Sequence, residues 1–419
     1  MSADAALIER SLALRVARIG AIAACIGLMY SPPVSNLAML VTFLACLCLP
    51  DLRLRLRQAL QHPAGALAMV FWALVLLWCL VGEPRPWPHR LGDFWSWRKL
   101  PWFFIMLMLF DDNAWKDKLS VWFVRGALPG LLLSSVAVLN WFDLPIEADK
   151  LLRNTGTQGV SFAVAAAICF WWLLRPEQSA QRRGLWALGL LAFAINVFSI
   201  SVARSAYLGI VTSLLVVGAF QLSRRHWLAL ALGVALLVPA VFLTSERMQA
   251  RVMKGVGEWQ AAEVAAQESS LGWRYIFYKH SIAVIQNHGL LGTGTGGFRG
   301  AYIEQVKTLN YPPGDWRARP TDDPHNQFMF VWIDFGLLGL LLLIAWVGVV
   351  AFQRRSAPPY RALAAALAIT WSAASIFNSH FRTFAEGHLF ATIAGAMVAA
   401  RARRADPPAP LPNEPAAHA

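Results

Sequence analysis

The sequence predicts an all-α polytopic membrane protein of about twelve transmembrane helices, with one long outer-face loop between spans 9 and 10. Three observations carry this. Of 419 residues, 57% are hydrophobic and only 15% charged, against about 25% charged in an ordinary soluble domain. The apolar residues form uninterrupted blocks, not amphipathic periods, and such blocks suit a hydrocarbon core about 30 Å thick. Short basic clusters punctuate the blocks in alternation.

The expected spans are 12–30, 34–50, 64–82, 99–112, 119–140, 158–174, 184–200, 203–222, 227–244, 326–352, 361–380 and 385–400. The fourth is short enough to be re-entrant. Arg10, Arg15 and Arg18 precede the first apolar run without a small-residue cleavage site, so it reads as an uncleaved span and not a signal peptide. With the N-terminus inside, alternate connections carry Arg53/Arg55/Arg57, Lys116/Lys118, Arg175/Arg182/Arg183, Arg224/Arg225, Arg354/Arg355/Arg361 and Arg401/Arg403/Arg404. Six successive short basic loops satisfy the positive-inside rule and place both termini in the cytoplasm. The chain then divides into 1–244 (spans 1–9), 245–325 (the long loop), 326–404 (spans 10–12) and 405–419, a Pro/Ala-rich cytoplasmic tail expected to be disordered.

The net charge of +13 does not point to nucleic acid, because the basic residues sit between apolar blocks and not on an aromatic-interleaved stripe. Cys25, Cys46, Cys48, Cys79 and Cys169 lie in apolar blocks without metal-ligand spacing and read as small hydrophobes. The histidines likewise lack paired spacing for zinc. The 245–325 segment, with nine basic and eight acidic residues, is too long for a plain connection and is the place to expect function.

Three outer-face features could carry chemistry. Arg204, in Ser201-Val202-Ala203-Arg204, opens the eighth span. There it either snorkels or, opposing the helix dipole, joins free N–H groups around an anion. Ser269-Ser270-Leu271-Gly272-Trp273-Arg274 reads as a serine-capped helix start with Arg274 in its first or second turn. Tyr278 and Ser281 follow on the same face. That helix ends at Gly289. Gly292, Gly294, Gly296 and Gly297 then form a loop that lacks the Gly-Lys-Ser/Thr of a phosphate-binding P-loop. Finally, Asp322-Asp323-Pro324-His325-Asn326 enters the tenth span, with Asp323 as expected N-cap and His325 in the first turn. The dipole there favours a neutral imidazole and the aspartates oppose it. The residue reads either as a general base or as a capping histidine.

The order S-x-x-R at Arg204, W-R at Arg274, h-G-x-G-x-x-x-F through Gly292, Gly294 and Phe298, and P-H-N at His325 resembles the O-antigen ligase superfamily. That superfamily also contains protein O-oligosaccharyltransferases and polysaccharide polymerases. The motifs cover about residues 190–350. The resemblance implies a GT-C-like, metal-independent transferase without cofactor in the bacterial inner membrane. Its active site would be periplasmic. It would take a glycan from undecaprenyl diphosphate and, as a ligase, pass it to a lipid A–core sugar hydroxyl with inversion. Arg204 and Arg274 match the family's diphosphate-associated arginines and His325 its essential histidine, with Tyr278, Gly294, Asp323 and Asn326 as possible support. The departure is Val202-Ala203 before Arg204, where relatives often carry a serine. A polymerase stays open as the alternative. A protein O-oligosaccharyltransferase is disfavoured by the short tail after Arg404, and a transporter by the scarcity of acids within the spans.

Overall fold

In the computed structural model the described residues are 12–82, 86–139, 147–201, 203–244, 246, 249–250, 252–254, 256–257 and 268–400. The expected disordered tail and most of 245–267 lie outside them. The helices are α1 Leu12–Tyr30, α2 Pro32–Leu47, α3 Leu52–Gln61, α4 Pro63–Val81, α5 Trp87–Ser96, α6 Lys99–Leu109, α7 Asn113–Leu139 and α8 Thr155–Leu173. They continue with α9 Ala180–Ile195, α10 Arg204–Gln221, α11 Arg224–Thr244, α12 Ser270–His288, α13 Phe298–Lys307, α14 Gln327–Phe352, α15 Pro358–Ser375 and α16 Phe384–Val398. Among the described residues there are no strands.

A helix stands at each of the twelve expected spans, but they are not twelve equivalent membrane crossings. Among the described residues seven helices (α1, α4, α7, α8, α9 with its π-helical continuation Asn196–Ser201, α11 and α14) are long and apolar enough to cross alone, and the α2–α3 pair, bent by 109°, would make eight. The shortfall has a physical cause. α6, with 11 residues, is about 16 Å long at the usual rise, half a bilayer core. The alanine-rich α15 and α16 bury most of their length inside the protein, so they meet neighbouring helices where a lipid-facing span would meet acyl chains. Small side chains let such helices approach closely. α11 is the opposite case, with no buried residue.

α16 packs against α6, α15 and α1, while α10 lies between α15 and α8. Trp346, Trp371, Phe381 and Phe390 interlock at this centre, with ring centroids 4.9–5.6 Å apart for four of the pairs. Beyond the far end of α6, Asp111 accepts Arg18 at 2.7 Å and Arg55 at 3.0 Å. Arg175 reaches Asp117 at 2.8 Å. The basic residues that signalled topology therefore also tie helices together.

α14 is broken at Gly336 (φ 67, ψ −167), and the glycine-rich loop fills the break. Thr293 and Gly294 N–H groups donate to Ile333 and Asp334 carbonyls at 2.8 and 2.9 Å, and Leu337 N–H to Leu290 O at 3.2 Å. The Asp334 carboxylate accepts Gly296 N–H and Phe298 N–H, each at 2.9 Å, which starts α13. Backbone released from a helix must find partners when buried, and this loop supplies them.

Candidate active site

α12 begins as the sequence suggested. Ser269 caps it, its hydroxyl accepting Gly272 N–H at 3.0 Å, and Arg274 lies half-buried in the second turn. One turn on, Phe277 and Tyr278 face the turn that precedes α14. The Phe277 ring stacks on the His325 imidazole, centroids 5.8 Å apart and 17° between planes.

That turn departs from expectation. The cap of α14 is Asn326, whose Oδ1 accepts Phe328 N–H at 3.0 Å and Met329 N–H at 3.1 Å. The Asp323 carboxylate is already occupied, accepting His325 N–H at 2.7 Å, and this tight turn keeps 323–325 out of the helix. His325 therefore sits before the first turn, in left-handed backbone (φ 55), and the dipole argument for a first-turn imidazole does not apply. Such a conformation costs a non-glycine residue about 1–3 kcal/mol. The Asp323 bond, the Phe277 stack and the Tyr278 hydroxyl, 3.2 Å from the His325 carbonyl, hold it there. The single Tyr278 hydroxyl proton is shared with Ile376 O, the nearer acceptor at 2.5 Å, and burial raises the phenol pKa.

The third wall is loop 376–383, between α15 and α16. Asn378 Oδ1 lies 3.4 Å from His325 Nδ1 and also accepts Ser379 N–H at 3.1 Å. The second bond identifies that atom as the amide oxygen, so Nδ1 is the donor. The neutral imidazole is then left with Nε2 as its acceptor. Span 11 was expected to run to residue 380, but its helix ends at Ser375. The Ile376 carbonyl goes to Tyr278, and Asn378 turns toward His325. The polar run Asn378-Ser379-His380 was the missed signal.

Lys99 pins this loop from below. It is 2% exposed, and its ammonium donates to Ser96 O at 2.8 Å, Phe381 O at 2.5 Å and Arg382 O at 3.4 Å. Gln327 adds a bond from Phe381 N–H at 2.7 Å. Lys99→Ala leaves buried carbonyls unpaired and is expected to cost about 2–3 kcal/mol, read as a lowered thermal midpoint in detergent. A midpoint equal to wild type would show that the loop is held without it. Above the loop, Asp322 pairs with Arg299 at 2.5 Å and lies 3.9 Å from Arg382.

Arg204 opens α10 behind Ala203, which provides no side-chain cap. The Arg204 side chain lies outside the described residues. Its helix start is fixed from below by a buried knot, in which Ser201 donates to Asn196 Oδ1 at 2.8 Å and accepts from Gln158 at 3.2 Å. The next residue, Ser205, lines a cavity together with His380 and Glu386, so α10 begins beside the loop that meets His325. Gly294, by contrast, belongs to the α14 dock and packs against Gly82. Among the described residues no three His, Cys, Asp or Glu side chains gather as a metal site.

The structure thus brings Arg274, Tyr278, Asp323, His325 and Asn326 together and sets the start of α10 nearby. Residues 189–344 match the family model described as O-Antigen ligase. Over this part of the chain the match supports the resemblance to the O-antigen ligase superfamily. The match spans Ser201–Arg204, Arg274, the glycine loop and His325, and it stops short of loop 376–383. No curated protein matches the chain. Its apolar helices fit a membrane protein, and the family whose model it matches consists of membrane glycosyltransferase-like enzymes.

Proposed function

We propose that this protein is a metal-independent, inverting O-antigen ligase of the bacterial inner membrane. It transfers a glycan from undecaprenyl diphosphate to a lipid A–core sugar hydroxyl at the periplasmic face. The observation that carries this reading is the shared wall at His325. α12 brings Arg274 and Tyr278 to it, and loop 376–383 links it to the cavity beside the first turn of α10.

Transfer breaks the bond between the anomeric carbon and a phosphate oxygen, so negative charge builds on the diphosphate. Arg274 and Arg204, each at a helix start, supply guanidinium and N–H donors for that charge. His325 Nε2 takes the proton of the attacking hydroxyl from the opposite side. Tyr278, Asp323 and Asn326 fix the histidine backbone without touching substrate. Grooves between the apolar helices accommodate the polyprenyl chain.

The test is purified protein in detergent with undecaprenyl-diphosphate glycan, lipid A–core and EDTA. Glycan on the lipid A–core is the expected product. Lengthening of the carrier-linked glycan instead would make the protein a polymerase. Arg274→Ala is expected to lower kcat/KM by about 10²–10³-fold, the cost of losing one preorganised charge-stabilising donor. Arg274→Lys would recover only part, since an ammonium cannot bind bidentately. Full activity in Arg274→Ala would remove its assigned role.

A further inference from the structure

Around loop 376–383, buried polar atoms without partners gather in one place. They are Ser375 Oγ, Ser379 Oγ, Trp371 Nε1, Gln327 Nε2 and both ring nitrogens of His380. Ser375, Ser379 and Gln327 are fully buried and His380 is 2% exposed. An unpaired buried polar atom costs about 1–3 kcal/mol, so a cluster of this kind points to a polar ligand that pairs with it. His380 and Trp371 line a mainly apolar cavity of about 40 Å³, whose other polar residues are Glu386, Ser205 and Thr370. That volume admits a few water molecules and no sugar ring. The Glu386 carboxylate, 6% exposed, is held by the Thr157 hydroxyl at 2.8 Å.

The cavity is coupled to His325 through one short segment. His380 N–H donates to Asn378 O at 3.1 Å, and the Asn378 side chain meets His325 Nδ1. Charged groups face His380 from several sides. Burial depresses its pKa, while Glu386 from α16 and Asp323 from the His325 turn oppose that effect. Lys99 on α6 and Arg382 bound the same loop.

We propose that this cavity is a hydrated proton-transfer site in which His380, backed by Glu386, receives the proton that His325 removes from the acceptor. The inference rests on the ligase reading above. In the transfer step the acceptor O–H bond breaks and its proton goes to His325 Nε2. The acceptor oxygen bonds to the anomeric carbon, and the bond to the diphosphate breaks with its electron pair staying on the phosphate oxygen. The proton then passes from His325 through water to a ring nitrogen of His380, and from there to solvent. Both histidines return to neutral, and the released proton balances the charge left on the diphosphate. His380 acts through His325 and is a positioning and relay residue.

The experiment compares transfer by wild type, His380→Gln and Glu386→Gln, each confirmed as folded by size exclusion. It runs across the range where imidazole titrates, about pH 5.5–7.5, with and without imidazole in the buffer. His380→Gln is expected to lower kcat roughly tenfold, below the range of a group that removes the proton directly, and to leave the donor KM unchanged. Its kcat profile loses a titrating group, and added imidazole restores turnover. Glu386→Gln moves the same profile without a comparable loss. Unchanged kcat and profile in both variants, or a loss in His380→Gln that imidazole does not rescue, overturns the relay while wild-type transfer still upholds the ligase reading. Absence of wild-type transfer removes both.

Discussion

Asp334→Ala is expected to destabilise the protein by about 3–5 kcal/mol, because two N–H groups, one buried and one part-buried, each lose a charge-assisted bond. Asp334 is fully buried in α14, and its carboxylate serves Gly296 and Phe298 at 2.9 Å each. Without it the start of α13 and the mend of the broken α14 fail together. Gly292→Ala is expected to do comparable harm by a different route. Its φ of +80 disfavours any side chain, and a β-carbon there would collide with the Gly336 amide and stand 2.7 Å from Asp334 O. Gly314 provides the control, since it has nearly the same backbone (φ +84) but open space around it. Gly314→Ala should cost only the left-handed penalty of about 1–2 kcal/mol. Thermal unfolding in detergent, followed by loss of monodisperse protein, measures all three. Equal losses for Gly292→Ala and Gly314→Ala would mean that conformation alone, and not the close approach to α14, is at stake.

The same region shows what a sequence can and cannot state. Apolar blocks and alternating basic clusters located the helices, because period and hydropathy are local properties. The Ser269 cap, the Gly289 stop and the start of α10 at Arg204 were legible for the same reason. The glycine run revealed only that backbone approaches something closely. Its partner is a kink 40 residues away in α14, and no local pattern marks Gly336 as a break in so apolar a helix. At the His325 turn, Asp323, His325 and Asn326 were all visible, with Asp323 expected as the cap, and Asn326 takes that place. The choice was decided by Asp323 bonding to His325 N–H, a tertiary outcome that also needs Phe277 and Tyr278. Loop 376–383 escaped because its polar residues adjoin alanine-rich helices whose hydropathy runs into theirs. Lys99, on a short helix far off in sequence, gave no sign that it secures that loop.

His325→Ala is expected to lower kcat by about 10²–10⁴-fold, the usual contribution of a positioned general base, with little change in stability. The two readouts separate because the turn is held mainly by its backbone, through Asp323 Oδ1 at 2.7 Å and Tyr278 at 3.2 Å. Removing the imidazole forfeits the Phe277 stack, worth about 0.5–1.5 kcal/mol, and is read as a small drop in thermal midpoint beside a large drop in turnover. Asn378→Ala gives an intermediate case. It keeps the imidazole but removes the acceptor that fixes Nδ1 as donor, so the ring can turn or exchange tautomers. At 3.4 Å that bond is long, and a loss of roughly tenfold is expected, smaller than for losing the base itself. Asn378→Asp should retain the orientation, since a carboxylate accepts the same Nδ1–H, and its charge favours the imidazolium form. Its kcat profile should accordingly move to higher pH, because His325 would bind its proton more tightly and be a free base only at higher pH. The kcat values of the three variants, measured with saturating donor and acceptor, decide the assignment. Near-normal turnover by folded His325→Ala would show that another group takes the proton. A downward shift in Asn378→Asp would show that Asn378 does not face the His325 imidazole.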